Sequence, residues 1–177
     1  MSEPAERIAA VLVPFYRDAA GELRVVLIER APGGRHGGQI ALPGGNREPA
    51  DETLRDTAIR ETGEELGIGT DLIEVLGVRP PMRTRSTGYV VTPHIGLLRA
   101  SAPRWRPQAA EVAAVLPMRV ADLVDPTGAG RTVMDFPAWG GPMKVPIRTV
   151  DGHVVWGLTL RILDDVLPRA VAGEWAV

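Results

Sequence analysis

The sequence predicts an α/β fold in which a mixed β-sheet packs between helices. Apolar, β-branched runs typical of strands occur both before and after a segment with helical spacing at residues 54–66. A second helical pattern follows at residues 156–170. Strands on both sides of a helix favour layers around a common core. The 177 residues fit one domain, spanning residues 1–177, because no linker interrupts them and 45% are hydrophobic.

The first half of the chain predicts three strands, a loop and a helix. Two apolar runs, residues 8–16 and 24–30, are separated by the turn RDAAGEL and predict a strand pair. Residues 31–38 predict a flexible loop, and residues 39–42 a short strand. The helix at residues 54–66 is followed by Gly67, a residue type that commonly ends helices. Its apolar side is expected to contain Leu54, Ala58, Ile59, Thr62 and Leu66.

The second half predicts further strands and two helices. Residues 72–78 and 90–98 predict strands on either side of the polar loop PPMRTRSTG, and residues 111–116 predict another. A short helix is expected at residues 120–124 and the last helix at residues 156–170. Residues 131–150 are rich in proline and glycine, so at most two or three short strands are expected there.

Charge and composition exclude several classes of function. The net charge is −2 and no long basic run occurs, which argues against a nucleic-acid polymer as partner. The absence of cysteine excludes disulfides, thiolate zinc sites and cysteine nucleophiles. The N-terminus is acidic and Pro14 interrupts its apolar run, so no signal peptide is expected. No apolar stretch approaches the roughly 20 residues that span a bilayer. We therefore expect a soluble, cytoplasmic protein that does not bind membranes.

A cluster of carboxylates marks the first helix. Glu61, Glu64 and Glu65 stand at positions i, i+3 and i+4, which are neighbours on one helix face. Three like charges repel one another, and Arg60 offsets only part of that repulsion. Such a triplet is commonly a solvated surface. Alternatively, a hard divalent cation such as Mg²⁺ offsets the remaining charge and bridges to substrate phosphate oxygens.

The residues around this triplet resemble the sequence box of the Nudix hydrolases, G-x5-E-x7-R-E-U-x-E-E-x-G-U, in which U is apolar. Asn46 stands at the first position in place of glycine, and Gly44 and Gly45 precede it, so the loop is one residue longer than in the standard box. The positions in register are Glu52, Arg60, Glu61, Thr62 (at an apolar position), Glu64, Glu65, Gly67 and Ile68.

Two further stretches resemble the coenzyme A pyrophosphatase branch of that family. The branch has a loop of the form PGG-x-x-D-x-x-D; here PGG occupies residues 43–45, and Glu48 and Asp51 follow. Upstream, Arg30 and the stretch RHGGQIALPGG are similar to the branch signature R-S…L-R-x-H-x-G-Q-V-x-F-P-G-G, with Ala31 replacing serine and Leu42 replacing phenylalanine. Residues 86–93, 111–126 and 155–163 also resemble segments of the branch.

The resemblance implies a Nudix fold, an α/β/α sandwich with a mixed sheet, and hydrolysis of a nucleoside diphosphate linked to another group. Mg²⁺, or Mn²⁺ in its place, would neutralise the pyrophosphate and lower the pKa of a bound water. The expected metal ligands are Glu61 and Glu65, one turn apart on an exposed helix face, with Glu64 joining directly or through water. The Gly44-Gly45 turn would add a backbone carbonyl, assigned to Gly45.

The remaining box residues are expected to support this site. Arg60 would orient Glu61 or Glu52, and Glu52 would hold the loop to the helix start. Gly44 and Gly67 are structural in the same scheme. Glu111 is the candidate general base, which completes the catalytic set of Glu61, Glu64, Glu65 and Glu111. The alternative for Glu111 is a surface glutamate that begins a strand.

Four residues upstream of the box are the substrate-binding candidates: Arg30, Arg35, His36 and Gln39. A cationic lining would suit the 3′-phosphate of coenzyme A, whereas each residue taken alone fits an exposed loop equally well. Candidates for stacking on adenine are Tyr89, Trp105 and Trp139. Trp156 is instead expected in the core, at the start of the last helix.

The leading hypothesis is Mg²⁺-dependent hydrolysis of coenzyme A or its derivatives, yielding 3′,5′-ADP and 4′-phosphopantetheine. A second keeps the metal site and changes the substrate to ADP-ribose, a dinucleoside polyphosphate, a dinucleotide cofactor or a damaged nucleotide. A third is a Nudix-fold binding module without catalysis, which the intact Glu61, Glu64 and Glu65 argue against. The expected partner is a small nucleotide. The oligomeric state stays open, a homodimer included.

Overall fold

The computed structural model describes residues 7–33, 36–84, 88–136 and 140–177. In this part of the chain three helices occur: α1 (Leu54–Leu66), α2 (Val120–Val124) and α3 (Gly157–Val171). Short 3₁₀ turns lie at Thr70–Leu72 and Pro126–Gly128. The strands are β1 (Arg7–Arg17), β2 (Leu23–Arg30), β3 (Ile40–Ala41), β4 (Gly44–Asn46), β5 (Ile73–Val78), β6 (Met82–Arg83), β7 (Tyr89–Leu98), β8 (Val112–Arg119), β9 (Ala129–Phe136), β10 (Gly141–Val150) and β11 (His153–Trp156).

The strands β1 to β8 form a mixed sheet with β1 near its centre. The main strand order is β3-β2-β1-β7-β5, with β4 paired to β1, β6 to β7 and β8 to β2. β1 runs parallel to β7, from Arg7 opposite Tyr89 to Phe15 opposite Leu97. Its pairings with β2 and β4 are antiparallel. The predicted mixed sheet is therefore confirmed.

Helices cover both faces of this sheet. Successive side chains of a strand point to opposite faces, so the buried strand β1 contributes to two cores. Val13 and Phe15 pack on the side of α3, where Leu163 joins them. Leu12 packs on the other side, in the cluster that contains Leu66 of α1. The order helix, sheet, helix confirms the predicted α/β/α sandwich.

α1 begins and ends where the sequence predicts. Thr53 and Asp56 form a reciprocal capping box at its start, with the Thr53 N–H donating to Asp56 Oδ2 at 2.8 Å. Gly67 ends the helix in the left-handed conformation, with φ of 63°. A Cβ on Gly67 would overlap the backbone of Arg106, so glycine is required there for both conformation and space.

A second, antiparallel sheet of β9, β10 and β11 corrects the prediction for residues 131–150. Short strands were expected there, but β9 spans 8 residues and β10 spans 10. Pro142 and Pro146 lie in the part of β10 that pairs with β9 alone, since β11 pairs only with the part from Ile147 to Val150. Proline has no N–H to donate to a neighbouring strand. It therefore costs no hydrogen bond of the sheet where the strand has no neighbour on that side.

Several local elements also differ from the prediction. Gly44–Asn46 forms strand β4 and is not a turn. β6 lies within the expected polar loop. The last helix begins at Gly157, and Trp156 ends strand β11 instead of starting the helix. Among the described residues, no helix combines the length and apolarity needed to cross a membrane.

Candidate functional site

Glu61 and Glu65 lie one turn apart on α1 and face strand β4. The Gly44 N–H donates to Oε2 of Glu65 at 2.8 Å. A Cβ on Gly45 would overlap the Glu61 carboxylate, so glycine lets this acid lie directly against the strand backbone. The two glycines expected to form a turn therefore form a strand segment that makes room for two acids.

Glu65 is buried, with 3% of its surface exposed, and not on an exposed face as the sequence suggested. Burial raises the pKa of its carboxyl to about 7, even though the Gly44 hydrogen bond and the charge of Arg30 lower it. Burial also raises the pKa of Glu61. Within the described ranges, no arginine, lysine or histidine forms an ion pair with Glu65. A buried carboxylate without a cation is costly, so this position favours binding of one.

Arg60 ties α1 to the preceding loop through Asp51. Its Nε and Nη2 donate to the two oxygens of Asp51 at 3.0 and 2.9 Å, and Nη2 also donates to the Asn46 carbonyl at 3.1 Å. Asp51 is buried and accepts further hydrogen bonds from the Glu48 N–H and the Thr57 hydroxyl. The hydrogen bonds from Arg60, then those from the loop, hold the pKa of Asp51 well below its usual range.

This arrangement corrects the role expected for Glu52. The side chain of Glu52 is exposed and forms no hydrogen bond or ion pair with the described residues; only its carbonyl accepts from Arg47, at 2.9 Å. Arg60 does contact Glu61, as expected, with Nη1 lying 3.1 Å from Oε1. Asp51 therefore holds the loop to the helix in place of Glu52.

Glu64 contacts the same Arg60 nitrogen as Glu61 but is more exposed than Glu61 or Glu65. Its Oε2 lies 3.3 Å from Arg60 Nη1, and about half of its side chain is exposed. Across the described ranges, no three His, Asp or Glu side chains form a ready-made cage for a metal ion. The carboxylates of Glu61 and Glu65, together with the β4 backbone, still form a set of oxygen donors that suits a hard cation retaining several waters.

Glu111 approaches the same acids from another element. It is exposed, directly before β8, and its carbonyl accepts a hydrogen bond from the Ala31 N–H at 2.8 Å. Its charge raises the pKa of both Glu61 and Glu65, so the three carboxylates are within electrostatic reach of one another. We refer to Glu61, Glu65 and Glu111 as the acidic edge.

A cavity of about 420 Å³ lies between β2, β10 and the start of α3. Arg30, His36 and Gln39 contribute to its wall, so three of the four expected substrate-binding residues meet in one place. Nδ1 of His36 lies 3.3 Å from Oε1 of Gln39. The fourth, Arg35, lies outside the described residues. Because the charge of Arg30 also lowers the pKa of Glu65, Arg30 connects this cavity to the acidic edge.

Trp156 differs from the prediction, and two of the candidates for stacking on adenine contact other side chains of the protein. Trp105 is half-buried and packs edge-on against Tyr16, with ring centroids 6.2 Å apart, beside the core under α1. The ring of Tyr89 lies 5.6 Å from the guanidinium of Arg7. Trp139 lies outside the described residues. Trp156, expected in the core, is half-buried and lines the cavity.

Sequence reasoning also missed the residues that complete the cavity. Phe136 lies 5.9 Å from Trp156 between ring centroids, and Met143 and Val145 of β10 line the same space. Half-buried positions alternate with exposed ones along β9, with Thr132, Met134 and Phe136 on the covered side. That period of two was the available signal for a strand with one covered face.

Comparisons with known proteins agree with this architecture. A model of the NUDIX domain matches residues 6–132. A protein of Salmonella paratyphi B described as an uncharacterized Nudix hydrolase, NudL, is 36% identical over 163 residues, which cover 91% of this chain and 81% of the relative.

Solved structures are similar as well. A MutT/nudix family protein from Enterococcus faecalis superposes with a TM-score of 0.64 at 18% identity, covering 97% of this chain and 64% of that one. A Nudix hydrolase from M. smegmatis, RenU, gives a TM-score of 0.54 at 25% identity, covering 68% and 74%. With the family model, the relative and the shared fold in agreement, this chain belongs to the NUDIX domain family and is a Nudix pyrophosphohydrolase.

Proposed function

We propose that this enzyme hydrolyses the pyrophosphate bond of coenzyme A or its derivatives, with Mg²⁺ or Mn²⁺, to give 3′,5′-ADP and 4′-phosphopantetheine. The observation that supports this substrate is the meeting of Arg30, His36 and Gln39 in one cavity next to the acidic edge. These residues belong to the stretch that resembles the coenzyme A pyrophosphatase branch. A small nucleotide is the partner that this arrangement suits.

Glu61 and Glu65 are the proposed metal ligands, together with the backbone at Gly45 and with Glu64 through water. A divalent cation, when bound, supplies charge neutralisation for the pyrophosphate and makes water more acidic. Burial of Glu65 favours this role. In the described part of the chain no cationic side chain forms an ion pair with its carboxylate, and a bound metal ion would balance that negative charge. Asp51 and Arg60 keep the loop and α1 in register with β4.

Glu111 is the proposed general base. Its exposed carboxylate is free to approach a water molecule and to accept the proton as that water attacks phosphorus. We assign a phosphate oxygen to Arg30, because Arg30 lines the cavity and its charge acts on Glu65. We assign the 3′-phosphate to His36 and Arg35, the cationic residues of the upstream stretch that resembles the coenzyme A pyrophosphatase branch.

The test is the substrate preference. We expect kcat/KM for coenzyme A to exceed that for 3′-dephospho-coenzyme A and for ADP-ribose, with activity lost in EDTA. His36→Ala should reduce the ratio of coenzyme A to 3′-dephospho-coenzyme A, whereas His153→Ala should leave that ratio unchanged, since His153 lies on β11 outside this cavity's wall. Equal or faster turnover of ADP-ribose by the wild type would show that the substrate belongs to another class of nucleoside diphosphate.

A further inference from the structure

We propose that this protein forms a two-fold symmetric dimer in which strand β9 pairs antiparallel with β9 of a second copy, centred on Val133. The proposal goes beyond the hydrolytic activity and does not depend on the identity of the substrate. β9 is the last strand of the second sheet, whose order is β11-β10-β9. In the described part of the chain its only partner strand is β10, so one edge of β9 is open to another strand.

The open edge of β9 carries the backbone groups that a further strand needs. In an antiparallel pair, alternate residues direct their N–H and C=O groups toward the neighbouring strand. β10 therefore uses only every second residue along the eight residues of β9. β9 contains no proline, and its pairing with β10 runs without a break in register. The unused groups thus form a regular row that can pair with a strand of another chain.

Other strands at the sheet edges are protected in ways that β9 is not. β5 has an irregular register between Val75 and Gly77 where it pairs with β7. β8 contains Pro117. β11 is four residues long and β3 only two. Bulges, prolines and short lengths are features by which proteins prevent unwanted pairing of edges. Among the edge strands of the described ranges, β9 is therefore the one best suited to pair with another chain.

The exposed side chains of β9 are complementary to a second copy of themselves. Arg131, Val133 and Asp135 lie on one face, because the side chains of a strand alternate between two faces, and all three are exposed. Val133 is 64% exposed. With Val133 opposite the partner's Val133, Arg131 lies opposite the partner's Asp135, and Asp135 lies opposite the partner's Arg131. Opposite charges directly across two strands attract each other.

Both charges are available for this pairing. Within the described ranges, neither Arg131 nor Asp135 forms an ion pair. The guanidinium of Arg131 donates only a long hydrogen bond, of 3.4 Å, to the carbonyl of Lys144 on the neighbouring strand. A second copy therefore supplies each of these side chains with a counter-charge that its own chain does not provide.

Two-fold symmetry restricts the other ways of pairing two β9 strands. Residues directly opposite each other point to the same face, so one residue of β9 must lie opposite its own copy. A pair centred on Arg131 or on Asp135 brings two like charges together, which is unfavourable. A pair centred on Thr132 or on Met134 places a charged side chain opposite Val133. The pair centred on Val133 is the one that matches both charges of each copy.

The dimer would contain a continuous sheet of six strands, three from each copy. The surface that two eight-residue strands bury is small, so we expect a reversible dimer with a dissociation constant of roughly 1 to 100 µM. Sedimentation velocity over about 1 µM to 1 mM covers this range. The wild type should change from the 19.0 kDa mass of one chain to twice that mass as the concentration rises.

Charge substitutions test which edge forms the dimer. Arg131→Asp and Asp135→Arg should each raise the dissociation constant at least about tenfold, because each places like charges opposite each other at two positions. Arg104→Asp is the matched control, since it makes the same change of charge at an exposed loop residue outside β9. The dissociation constant of this control should equal that of the wild type. Circular dichroism and thermal denaturation check that each variant is folded.

Mixing the two β9 variants in equal amounts tests the register of the pairing. In a mixed dimer, the two acidic side chains of the Arg131→Asp copy lie opposite the two basic side chains of the Asp135→Arg copy. The mixture should therefore dimerise at concentrations at which each variant alone has the mass of one chain. This recovery also shows that both variants are folded.

Three outcomes would overturn the proposal. The first is a wild type that keeps the mass of one chain throughout the concentration range. The second is a dimer that both single substitutions leave intact, since it would use another surface. The third is loss of the dimer in both variants without recovery in the mixture, because the strands would then not pair about Val133.

Discussion

The acidic edge and the apolar wall of the adjoining cavity are built in opposite ways. The apolar wall consists of Phe136, Met143, Val145, Trp156, Leu158 and Leu160. At the acidic edge, Glu65 accepts a backbone hydrogen bond at 2.8 Å, and Arg60 fixes the adjoining loop through two bonds to Asp51. The residues of the apolar wall come from β9, β10, β11 and α3 and are mostly half-buried. The acidic edge holds charged atoms in fixed positions, whereas the apolar wall provides area for apolar contacts.

This difference indicates how the two regions contribute to turnover. Charged groups held in fixed positions act most strongly on the charge that develops in the transition state. Apolar contacts distant from the reacting bond act equally on the bound substrate and the transition state. Substitutions at the acidic edge are therefore expected to change kcat, and substitutions at the apolar wall to change KM.

The largest effect is expected for Glu65→Gln. Loss of one negative oxygen donor should lower kcat/KM by about 10²-fold or more, equivalent to about 2.7 kcal/mol of transition-state stabilisation. Glu52→Gln is the control, because Glu52 belongs to the same sequence box but its side chain is exposed and unbonded in the described part of the chain. Both variants are measured by steady-state kinetics with Mg²⁺. If Glu65→Gln kept full activity, as Glu52→Gln is expected to do, the metal-site assignment would be wrong.

The same variant should have the opposite effect on stability without metal. The pKa of Glu65 is about 7 in the folded protein, against an ordinary value of 4.5. A raised pKa means that stability is full below pH 4.5 and declines as the pH rises through 7, by about 3 kcal/mol for about 2.5 pKa units at 1.36 kcal/mol per unit. Urea denaturation in EDTA should therefore find Glu65→Gln more stable than the wild type at pH 8 and similar to it at pH 4.

Glu111→Gln should lower kcat by about 10²-fold at neutral pH and change KM little, because a general base acts only as the water attacks. Its residual rate should recover as the pH rises, since hydroxide then replaces the missing base. A pH–rate profile, with the folded fraction measured in parallel, distinguishes this role from a structural one. A profile that overlays that of the wild type would remove Glu111 from the mechanism and make Glu64 the next candidate.

Asp51→Asn should destabilise the protein by about 2 kcal/mol, because it leaves the Arg60 guanidinium without its buried counter-charge. The pKa of Asp51 is lowered in the folded state, so its contribution is complete above the unfolded pKa of about 4 and is lost as the pH falls below that value. Chemical denaturation at pH 7 and pH 3 should show the difference from wild type shrinking in acid. If the difference in the free energy of unfolding stayed the same at pH 7 and pH 3, the charge of Asp51 would not be the source of its contribution to stability.

The smallest effect is expected at the apolar wall. Trp156→Leu should raise KM severalfold with kcat unchanged, because it removes contacts that stabilise the bound substrate and the transition state equally. Trp105→Leu is the contrasting variant. The ring of Trp105 packs against the core under α1, so this substitution should lower the melting temperature and leave KM unchanged. A fall in kcat for Trp156→Leu would contradict the division of roles between the two regions.

The elements predicted correctly from the sequence are those defined by local signals. α1 has a capping residue, an apolar repeat and a terminal glycine within one stretch, and its bounds, Leu54–Leu66, agree with the prediction. The second sheet was underestimated because Pro142 and Pro146 usually oppose strand formation, and only the pairing in space shows that they occupy an open edge.

The site was predictable in its residue types but not in its environment. The spacing of Glu61 and Glu65 placed both on one helix face, yet the burial of Glu65 depends on contact with β4, which the spacing does not define. The sequence box pointed to Glu61 or Glu52 as the partner of Arg60, and to Glu52 as the residue that holds the loop to the helix. The neighbouring Asp51 takes that position because the loop turns its carboxylate inward, onto the N–H of Glu48 and the hydroxyl of Thr57.

The parallel pairing of β1 with β7 also constrains how the molecule folds. It joins residues about 80 positions apart, from Arg7 with Tyr89 onward, and α1 lies within the loop that this pairing closes. Contacts between distant residues form slowly, because the entropy of closing a long loop is lost before they compensate for it. A chain emerging from the ribosome would therefore hold its acids on a helix without a completed sheet beneath it until β7 has been synthesised. Hydrolytic competence should appear late, with the closing of this long-range pair, and not with the formation of the helix.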